Sequence, residues 1–331
     1  MADNIAALES LIKKPRKQIH QSQVEMTARC GVQAAFRYVE NIKRRPKSFL
    51  ICGSAVDRGV GVDLTKKKDT GELEAEDVLC DVARDVVENY QGKEELQPED
   101  DELGKSVAEI LGDTKDKAVR LVKAHHGKVA PVVQPVAVNE KFSIDLDKWL
   151  RNRAAELHAQ ADKLPNGQLK RAIDLQARYL NVAARDGMDF VGEWDIKEHI
   201  ANERTIRDTK TAKKSPSADV AHDSHQLSAY SVAAYVIDGR VPDKVKLDYL
   251  IDLKKETKTM TIESTRDEQD VQKYLNRLVP VIAAFQSGIF LPAPDTAWWC
   301  DERYCAYHDI CPHVRHKETT VGNASELVQI K

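Results

Sequence analysis

The sequence predicts an α/β fold, a sheet flanked by helices, on three observations. Val245, Leu247, Tyr249, Ile251 and Leu253 recur at every second position, and Met260 and Ile262 continue the alternation beyond a turn, as in a strand hairpin. Met188–Lys197 and Arg204–Thr209 are two further strand-like runs joined by a short polar turn. Helical periods at Ser217–Ile237 and at Val271, Leu275, Leu278, Ile282 and Phe285 fall between and after these strands, an order that sets helices against a sheet.

Taken along the chain, residues 1–20 are polar and basic. Ser22 and Glu25 have capping-box spacing, and Val24, Val32, Phe36 and Val39 follow as one helix that ends at Pro46. Phe49–Asp57 reads as a short apolar run entering a small-residue turn. Leu73–Tyr90 and Val107–His126 are helical and frame an acidic loop, Glu94–Glu102. Val136–Leu146 is a strand, and residues 147–187 form two helices broken at Pro165-Asn166-Gly167. Thr265 and Glu268 cap the last helix, and Gly288 closes it. The expected organisation is an N-terminal helix and first core segment (1–60), a helical insertion (61–128), a core (129–291) with its own insertion (147–187), a cysteine-rich segment (292–316) and a tail (317–331).

The bulk composition narrows the class. With 331 residues, 42% hydrophobic and 31% charged, the chain can bury a sizeable core. A net charge of −3 excludes a protein that binds nucleic acid through overall basicity, although a local basic groove is compatible with it. No run approaches the roughly 20 apolar residues of a membrane span, and no signal-peptide pattern opens the chain. A cytoplasmic location, in a bacterium or a phage-infected cell, is the expectation. In such a reducing compartment the six cysteines are metal ligands or buried thiols rather than disulfides. No Walker A sequence is present, so any helicase motor belongs to another chain.

The chemistry is concentrated in residues 192–230. Asp195 stands in the strand Phe190-Val191-Gly192-Glu193-Trp194-Asp195-Ile196, and thirteen positions on come Asp208 and Lys210, two apart and therefore on one strand face. Two carboxylates converging between paired strands make a hard oxygen site for Mg²⁺ or Mn²⁺, and a lysine beside them can serve an attacking water. Gln226 and Tyr230 share a face of the following helix, one that can point back at this site. Taken singly, Asp-x-Lys or Gln-x-x-x-Tyr is as readily a solvated pair or an ordinary helix face. The ordered set Gly-x-x-Asp, Asp-x-Lys, Gln-x-x-x-Tyr is more specific.

That set resembles the RecB/AddB-like branch of the PD-(D/E)XK nucleases, which includes CRISPR-associated and phage exonucleases, over residues 20–60 and 130–313. The resemblance implies a restriction-endonuclease-like core with a central mixed sheet. It also implies metal-dependent, exonucleolytic DNA hydrolysis in recombination, repair or phage DNA processing, with a recombinase, annealing protein or helicase as possible partners. Asp195 and Asp208 would be metal ligands, Lys210 the catalytic lysine, and Gln226 and Tyr230 the supports of site and DNA. Glu140 looks like the upstream acidic ligand. The family's Gly-x-x-x-His segment reads Gly53-Ser54-Ala55-Val56-Asp57 here, so Asp57 replaces a histidine ligand. Either Asp57 serves as a substitute ligand, or the chain is a catalytically weak DNA-binding protein that keeps the fold.

Cys300, Cys305 and Cys311 lie within twelve residues of one another, a density that points to a metal. One cysteine before the core and three after it is the pattern of the family's iron–sulfur members. By resemblance Cys30 completes a [4Fe–4S] cluster that ties the two ends of the core together. A Zn²⁺ site completed by His308, His313 or His316, in a protein of structural role, is the alternative, as are plain buried thiols beside Trp298 and Trp299. Those tryptophans could also stack on bases. Cys52 and Cys80 read as buried thiols, and His125-His126 as a helix end.

Overall fold

A computed structural model describes residues 18–184, 188–253 and 256–314. Its elements are β1 (Gln18–His20), α1 (Gln21–Arg29), α2 (Gly31–Ala34), α3 (Ser48–Thr70), α4 (Glu76–Glu88), α5 (Val107–Lys128), β2 (Pro135–Asp145), α6 (Leu146–Asp162), α7 (Gln168–Ala183), β3 (Asp189–Ile200), β4 (Glu203–Ala212), α8 (His225–Asp238), β5 (Lys244–Asp252), β6 (Thr257–Ser264) and α9 (Glu268–Ser287). The six strands form one mixed sheet in the order β1-β3-β4-β5-β6, with β2 on the other edge of β3. This is the α/β architecture expected. None of the described helices is long and apolar enough to cross a membrane.

Two cores sandwich the sheet. One packs α6–α9 against Phe142, Phe190, Trp194, Ile206 and Leu247. The other packs α3, α4 and α5 against Ile196 and Leu250. Trp194 and Ile196 are two apart on β3 and would share a face of a regular strand, yet they enter opposite cores. The alternation therefore slips at Asp195. Opposite it, between the pairs Val138↔Ile196 and Glu140↔Trp194, β2 places Asn139 in the left-handed region at φ 51°.

Strand pairing leaves a gap at the same place. β2 occupies one edge of β3 from Asp189 to Glu198. On the other edge β1 pairs with Asp189–Val191 and β4 with Ile196–Ile200. Gly192–Asp195 is thus unpaired on that edge, and beyond Arg207 β4 continues against β5 alone. A fork opens between β3 and β4, and Asp195 and Asp208 stand at its crotch. Gly192 is required there, because a Cβ would lie 2.5 Å from the Phe142 ring.

Under the fork a buried ion network ties the strands together. Arg207 holds Asp248 through two hydrogen bonds of 2.8 and 3.0 Å and Glu198 through one of 2.7 Å, and all three side chains are buried. Thr261 donates to Asp248 as well, so β3, β4, β5 and β6 are joined at one point.

Several elements differ from expectation. Phe49–Asp57 is the start of the 23-residue helix α3, which runs across residue 60 and buries Ile51, Cys52, Ala55, Val56, Gly59 and Val60 on one side. The helix read from Ser22 to Val39 breaks at Cys30 (φ −161°, ψ 109°), and its cap is His20 with Gln23 rather than Ser22 with Glu25. The helix expected from Ser217 starts at His225 under a Ser224 cap, because Arg266 binds the carbonyls of Ala221, His222 and Ser224 and holds that stretch as a loop. Asp267 with Asp270, not Thr265 with Glu268, caps α9. Cys52 and Cys80 are buried, as expected. His125 is buried within the second core, and His126 meets Asp63 at 3.0 Å. The tail 317–331 and His316 lie outside the described residues.

Candidate active site

The fork gathers Asp195 from β3, Asp208 and Lys210 from β4, and Gln226 and Tyr230 from α8 into one hydrogen-bonded unit. Gln226 is its hub. Its Nε2 donates to Asp208 Oδ1 and to the Tyr230 hydroxyl, both at 2.7 Å, and its Oε1 accepts from Lys210 Nζ at 2.7 Å. Tyr230 in turn donates to Asp195 Oδ1 at 3.0 Å. Lys210 Nζ lies 2.7 Å from Asp208 Oδ2. The i, i+4 spacing on α8 makes this possible, because it stacks the amide and the phenol on one face over the strand ends.

The electrostatics follow from burial. Asp208 is fully buried, and loss of water together with the neighbouring Asp208 charge raises the Asp195 carboxyl well above the usual carboxylate range. Burial works to lower the Lys210 ammonium, but the charges of Asp208 and Asp195 outweigh it and leave its pKa raised, so Lys210 is firmly cationic. Burial and both aspartates push the Tyr230 phenol up, which keeps it a hydrogen-bond donor.

Asp57 reaches the same cleft from α3. Its surface is open to solvent, yet surrounding protein displaces enough water to raise its carboxyl, and Asp208 and Glu193 add to that effect. Glu193, two residues before Asp195, was not singled out from the sequence. Its place in the Gly-x-x-Asp stretch was the available signal.

Glu140, expected as the upstream acidic ligand, stands on β2. It lies opposite Trp194, ion-pairs with Lys197 at 3.2 Å and is half-exposed. Its partner Lys197 lies 4.2 Å over the Trp194 ring. Lys213, just beyond β4, ion-pairs with Glu99 and Asp101 of the acidic loop.

Among the described residues, no group of three or more His, Cys, Asp or Glu side chains stands at metal-binding spacing. The aspartate pair nonetheless suits a hard cation. Burial, with the Asp208 charge added to it, raises the Asp195 carboxyl, and the buried Asp208 Oδ2 has no well-directed hydrogen-bond donor beyond its ammonium contact. A divalent cation would relieve both.

The cysteines meet at another place. Cys30, Cys300, Cys305 and Cys311 are each partly exposed. They are close enough that Cys30, Cys305 and Cys311 add to the burial that raises the Cys300 thiol. Around them the C-terminal segment is fastened to the N-terminal one. The Gly31 amide donates to the Leu291 carbonyl at 2.8 Å, an approach that any Cβ at Gly31 would block. Tyr307 donates to the Ile42 carbonyl at 3.0 Å, and Arg44 pairs with Asp309 at 2.9 Å. Arg29 lies 5.7 Å over the Trp299 ring.

A family model described as the PD-(D/E)XK nuclease superfamily matches residues 18–312, most of the chain. The chain belongs to the PD-(D/E)XK nuclease superfamily. The mixed sheet flanked by helices is consistent with the restriction-endonuclease-like fold of that superfamily. A solved structure titled "Crystal structure of SSO0001" is similar at 11% identity, covering 88% of this chain and 95% of that one with a TM-score of 0.29. No curated protein matches the chain significantly.

Proposed function

We propose that this protein is a divalent-metal-dependent deoxyribonuclease centred on Asp195, Asp208 and Lys210. The observation that carries the reading is the Gln226 hub, which joins both β4 residues to Tyr230 and through it to Asp195. A hub of this kind holds charged groups at fixed spacing before substrate arrives, which lowers the reorganisation needed in the transition state. Asp195 and Asp208 would hold Mg²⁺ or Mn²⁺, with Asp57 at the rim. The ion would make bound water more acidic and neutralise charge building on the phosphate. Lys210, held cationic by Asp208, orients the water and offsets negative charge on the reacting phosphate. Tyr230 and Gln226 keep the aspartates aimed.

The Gln-x-x-x-Tyr face and the gathered cysteines favour the RecB/AddB-like branch and, with it, exonucleolytic action on DNA ends. The four cysteines are the proposed ligands of a [4Fe–4S] cluster, with Zn²⁺ as the competing occupant. A second reading, a DNA-binding protein of weak catalytic power, is favoured by Asp57 standing where a histidine is expected. A large gain in cleavage on Asp57→His would support it.

The test is degradation of end-labelled single- and double-stranded DNA with Mg²⁺ or Mn²⁺ by wild type and Lys210→Ala. Metal-dependent cleavage that disappears in the variant is the expected result. Cleavage unaffected by Lys210→Ala would sink the assignment.

A further inference from the structure

A second polar cavity, of 310 Å³, lies between the first turn of α8 and the first turns of α9. At about 100° per residue, His225 and Ser228, which line it, face away from Gln226 and Tyr230 on the same helix. The cavity and the aspartate fork therefore lie on opposite sides of the N-terminus of α8, about 10–12 Å apart if separated by one helix diameter.

Its charge is unbalanced in an unusual way. Arg266 is buried, and its six hydrogen bonds all end on neutral oxygens: the hydroxyls of Ser228 and Ser264 and the carbonyls of Ala221, His222, Ser224 and Thr265. Neither Arg266, Lys273 nor Arg277 forms an ion pair with a described residue, and the Arg277 guanidinium turns to His225 Nδ1 at 2.8 Å. Among the lining residues three cations thus meet two carboxylates, Asp223 and Asp270, and Asp270 is engaged in capping α9; Glu25 of α1, outside the lining, is near enough to act on His225 and Tyr274. The Tyr274 side chain lines the cavity at 3% exposure, and its hydroxyl has no hydrogen-bond partner. A buried hydroxyl without a partner costs about 1–3 kcal/mol, so a ligand that accepts from it is favoured.

We propose that this cavity is a phosphate-binding subsite for the nucleic-acid strand. Lys273 and Arg277 would neutralise the phosphate, Tyr274 would donate to it, and the first turn of α8 would lie along the path to the fork. A phosphate anchored here would fix how far the strand extends into the cleft. The source of the phosphate, a strand, rests on the nuclease reading. The anion site does not, and the two can fail separately.

The test uses the intact protein in EDTA, where no cleavage intervenes. Inorganic phosphate should raise the thermal midpoint of wild type more than chloride does at equal ionic strength, and both Tyr274→Phe and the pair Lys273→Gln/Arg277→Gln should remove that difference. Lys273 and Arg277 are exposed, so the pair should fold normally. The pair should weaken oligonucleotide binding about 10-fold and reduce the slope of log affinity against log salt by about one. A loss confined to 5′-phosphorylated oligonucleotides would identify a terminal monoester, and an equal loss with 5′-hydroxyl strands an internal phosphodiester. Either supports the subsite. No stabilisation by phosphate, or phosphate binding with unchanged DNA affinity in the paired variant, would overturn it.

Discussion

The aspartate fork, drawn from residues 195–230, and the cysteine pole, drawn from the two ends of the described chain, each gather four or five polar or sulfur side chains, yet they are held in different ways. At the fork each charged group has a fixed partner inside the protein: Gln226 binds Asp208, Lys210 and Tyr230, and Tyr230 binds Asp195. The side chains stand on strands that Arg207, Glu198 and Asp248 clamp from below. At the pole the cysteines lie on a helix break and on loops. What joins the segments is peripheral: Gly31 to Leu291, Tyr307 to Ile42, and Arg44 to Asp309. One region is held by a closed network of side-chain hydrogen bonds. The other brings its thiols near one another with a backbone hydrogen bond to Cys305 and the charge of Arg29 acting on them from the protein.

Variants can break this contrast. The largest effect is expected at the fork, where Lys210→Ala should reduce cleavage at least ~10²–10³-fold, the scale of losing one preorganised charge-stabilising group, with an unchanged circular-dichroism spectrum. Next is the clamp. Arg207→Met leaves Glu198 and Asp248 buried without their cation and should cost about 3–5 kcal/mol in denaturant unfolding. An Arg207→Met protein as stable as wild type would mean that the fork does not depend on the clamp.

A smaller effect comes from His125, buried close to Arg207 and Asp248, with neither ring nitrogen hydrogen-bonded and its pKa lowered by burial to about 4. Its folded pKa lies below the ordinary 6.5, so the unfolded chain binds more protons between those values. Stability should therefore fall on acidification from pH 6.5 towards 4, by up to ~3 kcal/mol from this residue. His125→Leu should flatten that part of the profile, as followed by urea midpoints. At the pole, Cys305→Ser should lower bound iron or zinc by elemental analysis and reduce the thermal midpoint by a few degrees while sparing the Gln226 hub. Equal metal content in wild type and variant would leave Cys305 a plain thiol.

The two regions were legible in the sequence to different degrees, for physical reasons. Asp208 with Lys210, and Gln226 with Tyr230, could be placed on common faces because each pair lies on an element whose period is clear, and Asp195 was legible through its place in the ordered set rather than through spacing. Glu140 stands beside the slip at Asn139 and pairs with Lys197, a contact that strand period alone does not announce. Arg207 went unnoticed because its partners stand 9 and 41 residues away, and no local spacing announces a buried triad. The helix α3 was hidden by its own small residues. Gly53, Ser54 and Ala55 suggest a turn, although the buried positions 51, 52, 55, 56, 59 and 60 repeat at helical spacing. The break at Cys30 depends on the Leu291 carbonyl, a contact across most of the chain that periodicity does not carry.

The most direct test of the central claim is Mn²⁺ binding followed by electron paramagnetic resonance, comparing wild type with Asp208→Asn. The account predicts that wild type takes up Mn²⁺ and that the variant, with one carboxylate of the pair gone, binds at least ~10-fold more weakly. Equal binding by the two proteins would contradict it, because the aspartate fork would then not be the place that holds the ion.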